Sequence, residues 1–382
     1  MKIVIVGGGL AAANAAAELR DRGHLGELTV FADEAHLPYE RPPLSKGVLL
    51  GKDEPDSAIV HTKEWYADHE VDLRTATAVD ALDLDTGAVL AGEERLVFDR
   101  LLLATGSRPR HLAMADESGA PVAYLRTFED SAALKSSFGE GRRLVIIGGG
   151  WIGLEVAAAA REAGTEVTIV ESLELPLLRV LGPEVAGHFA DLHRSHGVDL
   201  RLSASVTSID ADGTVHLADG EAIGSDLIVV GIGVEPVDDL ARAAGLSVDN
   251  GILVGQDLRS SDPRVFAAGD VANQLHPTLG RRIRVEHWDT AIHQGRHAAR
   301  VLLGEDVDYD RLPYFFTDQY DLGMEYVGSV GPDGYTSVEF EGDPASGTYR
   351  AFWIRDGLVV AGMHVNDWDA TDEIRAAVGK PR

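Results

Sequence analysis

The strongest constraint on this chain is a pattern that it carries twice. Ile3-Val4-Ile5-Val6-Gly7-Gly8-Gly9-Leu10-Ala11-Ala12 runs into an alanine-rich stretch, 13–22, and stops at Gly23. Leu144-Val145-Ile146-Ile147-Gly148-Gly149-Gly150-Trp151-Ile152-Gly153 runs into 154–163 and stops at Gly164. The first and the stopping glycines lie 16 residues apart in both copies (23 − 7 and 164 − 148). Each copy reads as a buried β-branched strand, a glycine turn, a helix and a glycine just past its end. A second strand follows each, at 28–31 and 167–170, and acid follows the strand, at Asp33 or Glu171. These acids lie 24 and 21 residues beyond Gly9 and Gly150, near the ~20 of a dinucleotide fingerprint. One copy would be weak evidence; two copies, each with strand, helix and acid in place, are strong.

A second repeat supports the first. In 99–109 and in 226–236 an apolar run opens on Asp, has Gly seven residues later and Pro ten residues later. The expected architecture is α/β, with two doubly wound dinucleotide-binding modules, each closed by an apolar strand that turns through glycine. Glycine matters because only a residue without Cβ lets the amides at a helix N-terminus approach a pyrophosphate, whose charge the helix dipole favours. The following acid accepts the ribose hydroxyls. Two modules imply two dinucleotides, and the usual reason to hold two is to pass a hydride between them.

Composition narrows the chemistry. The 382 residues contain no cysteine, which excludes disulfides, thiolate metal sites and any catalytic thiol. There are 34 Lys+Arg against 62 Asp+Glu, a formal charge of −28, so neither nucleic acid nor an anionic membrane is an expected partner. At ~100–200 residues per domain the length suggests two or three domains. The longest apolar stretch, 144–160, is broken by Gly148-Gly149-Gly150 and by Glu155, and falls short of the ~20 residues of a membrane span. The expectation is a cytoplasmic protein. His193, His196, His276, His287, His293, His297 and His364 show no consistent ligand spacing, so no metal site is expected, and the His293/His297 pair is read as surface.

With these motifs in hand, the sequence resembles a family. Gly7–Ala12, the loop Arg41-Pro42-Pro43-Leu44-Ser45-Lys46, Ala104-Thr105-Gly106 and Ala268-Gly269-Asp270 look like the FAD-dependent pyridine-nucleotide oxidoreductases of glutathione-reductase-like fold. Glu286-His287-Trp288 and the run 314–321 resemble, more narrowly, the oxygenase-coupled ferredoxin reductases. The resemblance implies that the first module holds FAD. Gly7, Gly9 and Ala11 would face its pyrophosphate, Asp33 its ribose, and Arg41 a phosphate. The Val79 backbone would contact the adenine, and Arg126 would be a further FAD contact. Thr105 and Gly106, in the closing turn, would also bind the cofactor, Asp270 would bond the ribitol chain, and Lys46 and Trp288 would lie at the flavin ring. The second module would hold the nicotinamide cofactor through Gly148, Gly150, Ile152, Gly153, Glu171, Arg179 and Gly233, with Glu155 near the nicotinamide. Lys46 and Glu155 are the candidate catalytic residues. A helix-face acid that favours the dipole is the plainer reading of Glu155. Glu171 would repel a 2′-phosphate, which predicts NADH over NADPH.

Without cysteine, electrons reaching a flavin must leave directly for an outside acceptor. The resemblance implies a [2Fe–2S] ferredoxin serving a P450 or ring-hydroxylating oxygenase, from a reductase that is a monomer or homodimer. An NADH:quinone or O₂ oxidoreductase, and an NADH-sensing interaction protein of the apoptosis-inducing-factor type, are the alternatives. Ferredoxins are usually acidic, so docking would need a basic patch, for which Arg281, Arg282 and Arg284 are the candidates. The family position of Asp270 and Trp288 splits the FAD domain into 1–110 and 237–308 around an NADH domain, 111–236. A C-terminal α+β domain, 309–382, follows, with hairpin signals at Asp333-Gly334 and Asp356-Gly357. The run departs from many relatives at Phe316-Thr317, and Asn366-Asp367-Trp368-Asp369 matches nothing in the family pattern.

Overall fold

The computed structural model describes residues 1–331 and 333–382. They form two compact units. The first comprises Met1–Glu40, Asp56–Arg108 and Glu235–Pro313. Its centre is a five-stranded parallel sheet in the order Val265–Ala267, Arg100–Leu103, Ile3–Val6, Leu28–Phe31, Asp72–Arg74. The first strand of the chain lies mid-sheet and is solvent-free on both faces, as its unbroken β-branched run requires. Ile3 pairs with both Leu28 and Arg100.

The helix Leu10–Asp21 leaves the end of that strand and buries its alanines. It packs on Trp288–Leu302 so tightly that a methyl at Gly295 would lie 2.3 Å from the Ala11 carbonyl oxygen. The helix Trp288–Leu302 starts where the His287 side chain, as its N-cap, accepts the Asp289 N–H. Two three-stranded sheets complete the unit.

The second unit comprises Arg41–Pro55, Pro109–Val234 and Tyr314–Arg382. Its parallel sheet runs Asp199–Arg201, Glu166–Val170, Arg143–Ile147, Leu227–Val230, Val122–Ala123. The first four positions repeat the connectivity of the first unit, so the duplication seen in the sequence is a duplication of topology. A five-stranded antiparallel sheet in the same unit has the order Tyr314–Gln319, Leu322–Gly328, Leu358–Val365, Thr348–Arg355, Ser337–Asp343, followed by the helix Thr371–Ala377.

One turn signal does what its residues suggest and one does not. Asp356-Gly357, with φ of 53° and 74°, joins the paired strands Thr348–Arg355 and Leu358–Val365. Asp333-Gly334 is no hairpin turn, because the strands flanking it are separated in the sheet by Leu358–Val365 and Thr348–Arg355. Leu358–Val365 pairs with Leu322–Gly328 and so occupies the edge that such a hairpin would have used.

Candidate functional site

Each glycine turn is built for close approach. Gly7 has φ of +126°, and a methyl there would lie 2.1 Å from the Ala104 carbonyl oxygen; Gly148, at φ +108°, stands in the same relation to Gly231 at 2.4 Å. These glycines fasten the turn to the closing strand. Gly9 and Gly150 do something different. Both are extended N-caps with no side chain capping the helix. A methyl on Gly9 meets nothing within 4 Å, and on Gly150 only the Gly231 oxygen at 3.9 Å. Bare amides at a twelve-residue helix N-terminus, facing open space, fit a dinucleotide pyrophosphate.

In the second unit this opening is part of a cavity of about 460 Å³, lined among others by Gly148, Gly150, Trp151, Glu171, Arg179 and Gly233. The Glu171 carboxylate is fixed at its wall, accepting the Gly149 N–H at 2.7 Å and the Leu173 N–H at 2.8 Å. Gly153 lies where a methyl would come within 2.2 Å of the Gly148 oxygen, which sets the helix against the turn. Ile152 is exposed beside them.

The first unit carries Gly7, Gly9, Ala11, Asp33, Val79, Thr105, Gly106, Asp270 and Trp288. Thr105 Oγ1 donates to the Val237 carbonyl at 2.6 Å, and Ser107 Oγ donates to Asp270 Oδ2 at 2.6 Å. Asp33 is exposed and Val79 half-buried. Backbone register shows that the two acids are not equivalent. Gly7 N–H bonds Phe31 O as Gly148 N–H bonds Val170 O, so the counterpart of Glu171 is Ala32 and Asp33 comes one residue later. Counting from the glycines misses this, because the helix-to-strand loops differ in length.

Arg41, Lys46 and Arg126 belong to the second unit. The Arg41 guanidinium donates to the Arg126 carbonyl. The prolines of 42–45 form a 3-10 turn, held to the helix Phe128–Ser137 by Ser131 Oγ donating to Leu44 O at 2.8 Å. This fixes Ser45 and Lys46. Lys46 Nζ pairs with Glu155 Oε1 at 2.7 Å, and Glu155 is 4% exposed. Ser45 Oγ donates to Glu155 Oε2 at 2.5 Å and Thr317 Oγ1 to Oε1 at 2.6 Å. The Phe316 ring centroid lies 5.3 Å from the ammonium, a cation–π distance. So Glu155 is a buried, triply bonded carboxylate and not a solvated face residue.

Two readings of the sequence are corrected. His297 is 7% exposed and bonds the Val307 carbonyl; it is not a surface residue. The three arginines do not stand open together: Arg282 is exposed and Arg281 half-buried, but Arg284 is withdrawn. The Arg284 side chain is 8% exposed and paired with Glu286, while Arg282 donates to the carbonyls of Val254 and Asn273. A neighbouring acid holds the Arg284 guanidinium, and two backbone carbonyls hold one nitrogen of Arg282.

The comparisons with known proteins agree with this geometry. The profile of the family described as "Pyridine nucleotide-disulphide oxidoreductase" matches residues 1–295. The anthranilate 1,2-dioxygenase system ferredoxin–NAD(+) reductase component of Burkholderia cepacia is 41% identical over 95% of this chain and 90% of its own. Rhodocoxin reductase of Rhodococcus erythropolis is 38% identical, over 92% and 83%. The solved covalent putidaredoxin reductase–putidaredoxin complex superposes with a TM-score of 0.93 at 36% identity, covering 98% of this chain and 91% of that one. Because the profile takes in both glycine turns and the Lys46–Glu155 pair, this chain, although it holds no cysteine, belongs to the pyridine nucleotide-disulphide oxidoreductase family.

Proposed function

We propose that the chain is an FAD-dependent NADH:ferredoxin reductase serving a P450 or ring-hydroxylating oxygenase. The observation that carries this is the pairing of two glycine-turn modules with a complete lack of cysteine, in a chain similar along nearly its whole length to named ferredoxin reductases. FAD, when bound, takes up a hydride and gives electrons up singly, which suits a one-electron acceptor. The amides behind Gly9 would bind the pyrophosphate of FAD, with Asp33 on its ribose, Asp270 on its ribitol chain and Trp288 at the ring. Those behind Gly150 would bind NADH, with Glu171 on the ribose and Arg179 at the adenosine half. This division keeps the FAD domain as 1–110 with 237–308, the NADH domain as 111–236 and the C-terminal domain as 309–382.

Lys46 carries the ammonium that would offset negative charge on the reduced ring, and Glu155 holds it in place. The acceptor we infer is a [2Fe–2S] ferredoxin, and the setting the cytoplasm. Among the described residues no helix is long and apolar enough to cross a membrane. The test is anaerobic: NADH should bleach the flavin of the purified protein, and a [2Fe–2S] ferredoxin should then reoxidise it faster than quinones or O₂ do. If every ferredoxin tried is slower than both, the acceptor is misassigned.

A further inference from the structure

Behind Glu155 lies a row of buried polar side chains that the cofactor assignments do not use. Thr317 and Gln319 are 0% and 1% exposed. They sit two apart on the strand Tyr314–Gln319 and so share one face. His193, also 0% exposed, comes from the helix Leu178–Ser195. The distances run from His193 Nε2 to Gln319 Oε1, 2.9 Å, from Gln319 Nε2 to Thr317 Oγ1, 3.1 Å, and from Thr317 Oγ1 to Glu155 Oε1, 2.6 Å. Tyr320 OH faces His193 Nδ1 at 3.4 Å.

The chemistry of these groups gives the row a direction. A carboxylate can only accept, so the Thr317 hydroxyl must donate to Glu155. Its oxygen then accepts from the Gln319 NH₂, which turns the Gln319 carbonyl toward His193. That carbonyl accepts, so His193 must carry its proton on Nε2. Burial pushes the His193 imidazole down to about 4, with Gln319 opposing and His196 adding to the effect. The ring is therefore neutral at pH 7 and can present an N–H on one side only.

We propose that His193, Gln319 and Thr317 form a one-way chain of hydrogen bonds that fixes the Glu155 carboxylate against Lys46, making Thr317 and Gln319 positioning residues for flavin reduction. The kinetic part rests on the reading of the chain as an NADH-reduced flavoprotein. The charged groups around the anchor are Lys46 itself and Asp318, beside Thr317 on the strand; Asp318 feels Lys46, Glu155 and Glu325. Neither Asp318 nor Glu325 can donate to Glu155 while ionised, which leaves Ser45 and Thr317 as the neutral donors beside the ammonium.

Two measurements on the purified flavoprotein test this. Long-range ¹⁵N–¹H correlation of the His193 ring at pH 7 should show the Nε2–H tautomer, and Gln319→Leu should abolish that preference. An Nδ1–H ring in the unaltered protein overturns the chain. In anaerobic stopped flow, Thr317→Val should slow flavin reduction by NADH about tenfold, the worth of one hydrogen bond to a charged group. Thr317→Ser, which keeps the hydroxyl, should stay within about twofold of the unaltered protein. FAD content is measured in parallel. Equal rates for Val and Ser with FAD retained overturn the positioning role. If the unaltered protein is not reduced by NADH, the functional reading and the kinetic role fall together, and the tautomer still decides the chain of bonds.

Discussion

Glu171 is the carboxylate on which a preference between two cofactors would rest. Its oxygens are tied to the amides of Gly149 and Leu173, with the Ser172 hydroxyl 3.1 Å from Oε1. It cannot swing away from a ligand in the cavity without breaking bonds. A 2′-phosphate brought against it costs several kcal/mol, so kcat/KM should favour NADH over NADPH by about a hundredfold or more. Glu171→Gln keeps the shape, removes the charge and should cut that ratio at least about tenfold, measured with both cofactors. The acid itself is legible in the sequence as the residue after a strand. Its counterpart is not: Ala32 and Glu171 are matched by backbone hydrogen bonds that no count of residues contains. Ser45 and Thr317 were missed for a related reason, since a lone hydroxyl in a loop or strand gives no local sign of the carboxylate it meets.

At the scale of the element, the glycine turn is a strand end, a helix start and a closing strand fastened at one point. Gly148→Ala would force a side chain into a φ of +108° and within 2.4 Å of a carbonyl oxygen. The second module should lose at least about 2 kcal/mol and its NADH binding together, read by chemical denaturation and by the KM for NADH. Gly150→Ala has room for the methyl, so it should spare stability while raising that KM several-fold, because the methyl enters the space the pyrophosphate needs. Both turns are legible because the strand, the glycines and the helix are contiguous. The antiparallel sheet is less so. Asp356-Gly357 makes its hairpin and Asp333-Gly334 does not, since a turn residue sets local φ but does not choose which edge of a sheet is free.

For the molecule as a whole, acid should act through histidines before it acts on most carboxylates. His24, His61, His188, His193, His276 and His297 are all held below their usual range, burial being the largest cause in each. The folded state keeps them neutral while the unfolded chain takes up protons below about 6.5. Stability is therefore full above that pH and declines as pH falls, for His193 until its folded value of about 4 is passed. Glu325 extends the loss: bonds from His364 and Thr371, working against burial, hold it at about 2, so its contribution fades from about 4.5 downward. Denaturant midpoints should drop between pH 6.5 and 4, and His193→Gln should flatten that drop; an unchanged slope would remove His193 from the account.

Two nucleotide modules follow from the chain's order of residues alone, because each is specified within a few tens of neighbouring positions: an apolar strand, glycines that alone tolerate the turn, and a helix. The surroundings of Glu155 do not follow from it. Ser45 and Thr317 stand 110 and 162 residues away from that carboxylate. They arrive through the packing of a proline loop and the strand order of a separate sheet. Only tertiary structure makes Glu155 buried, bonded and paired with Lys46, because burial and partner choice are properties of neighbours in space.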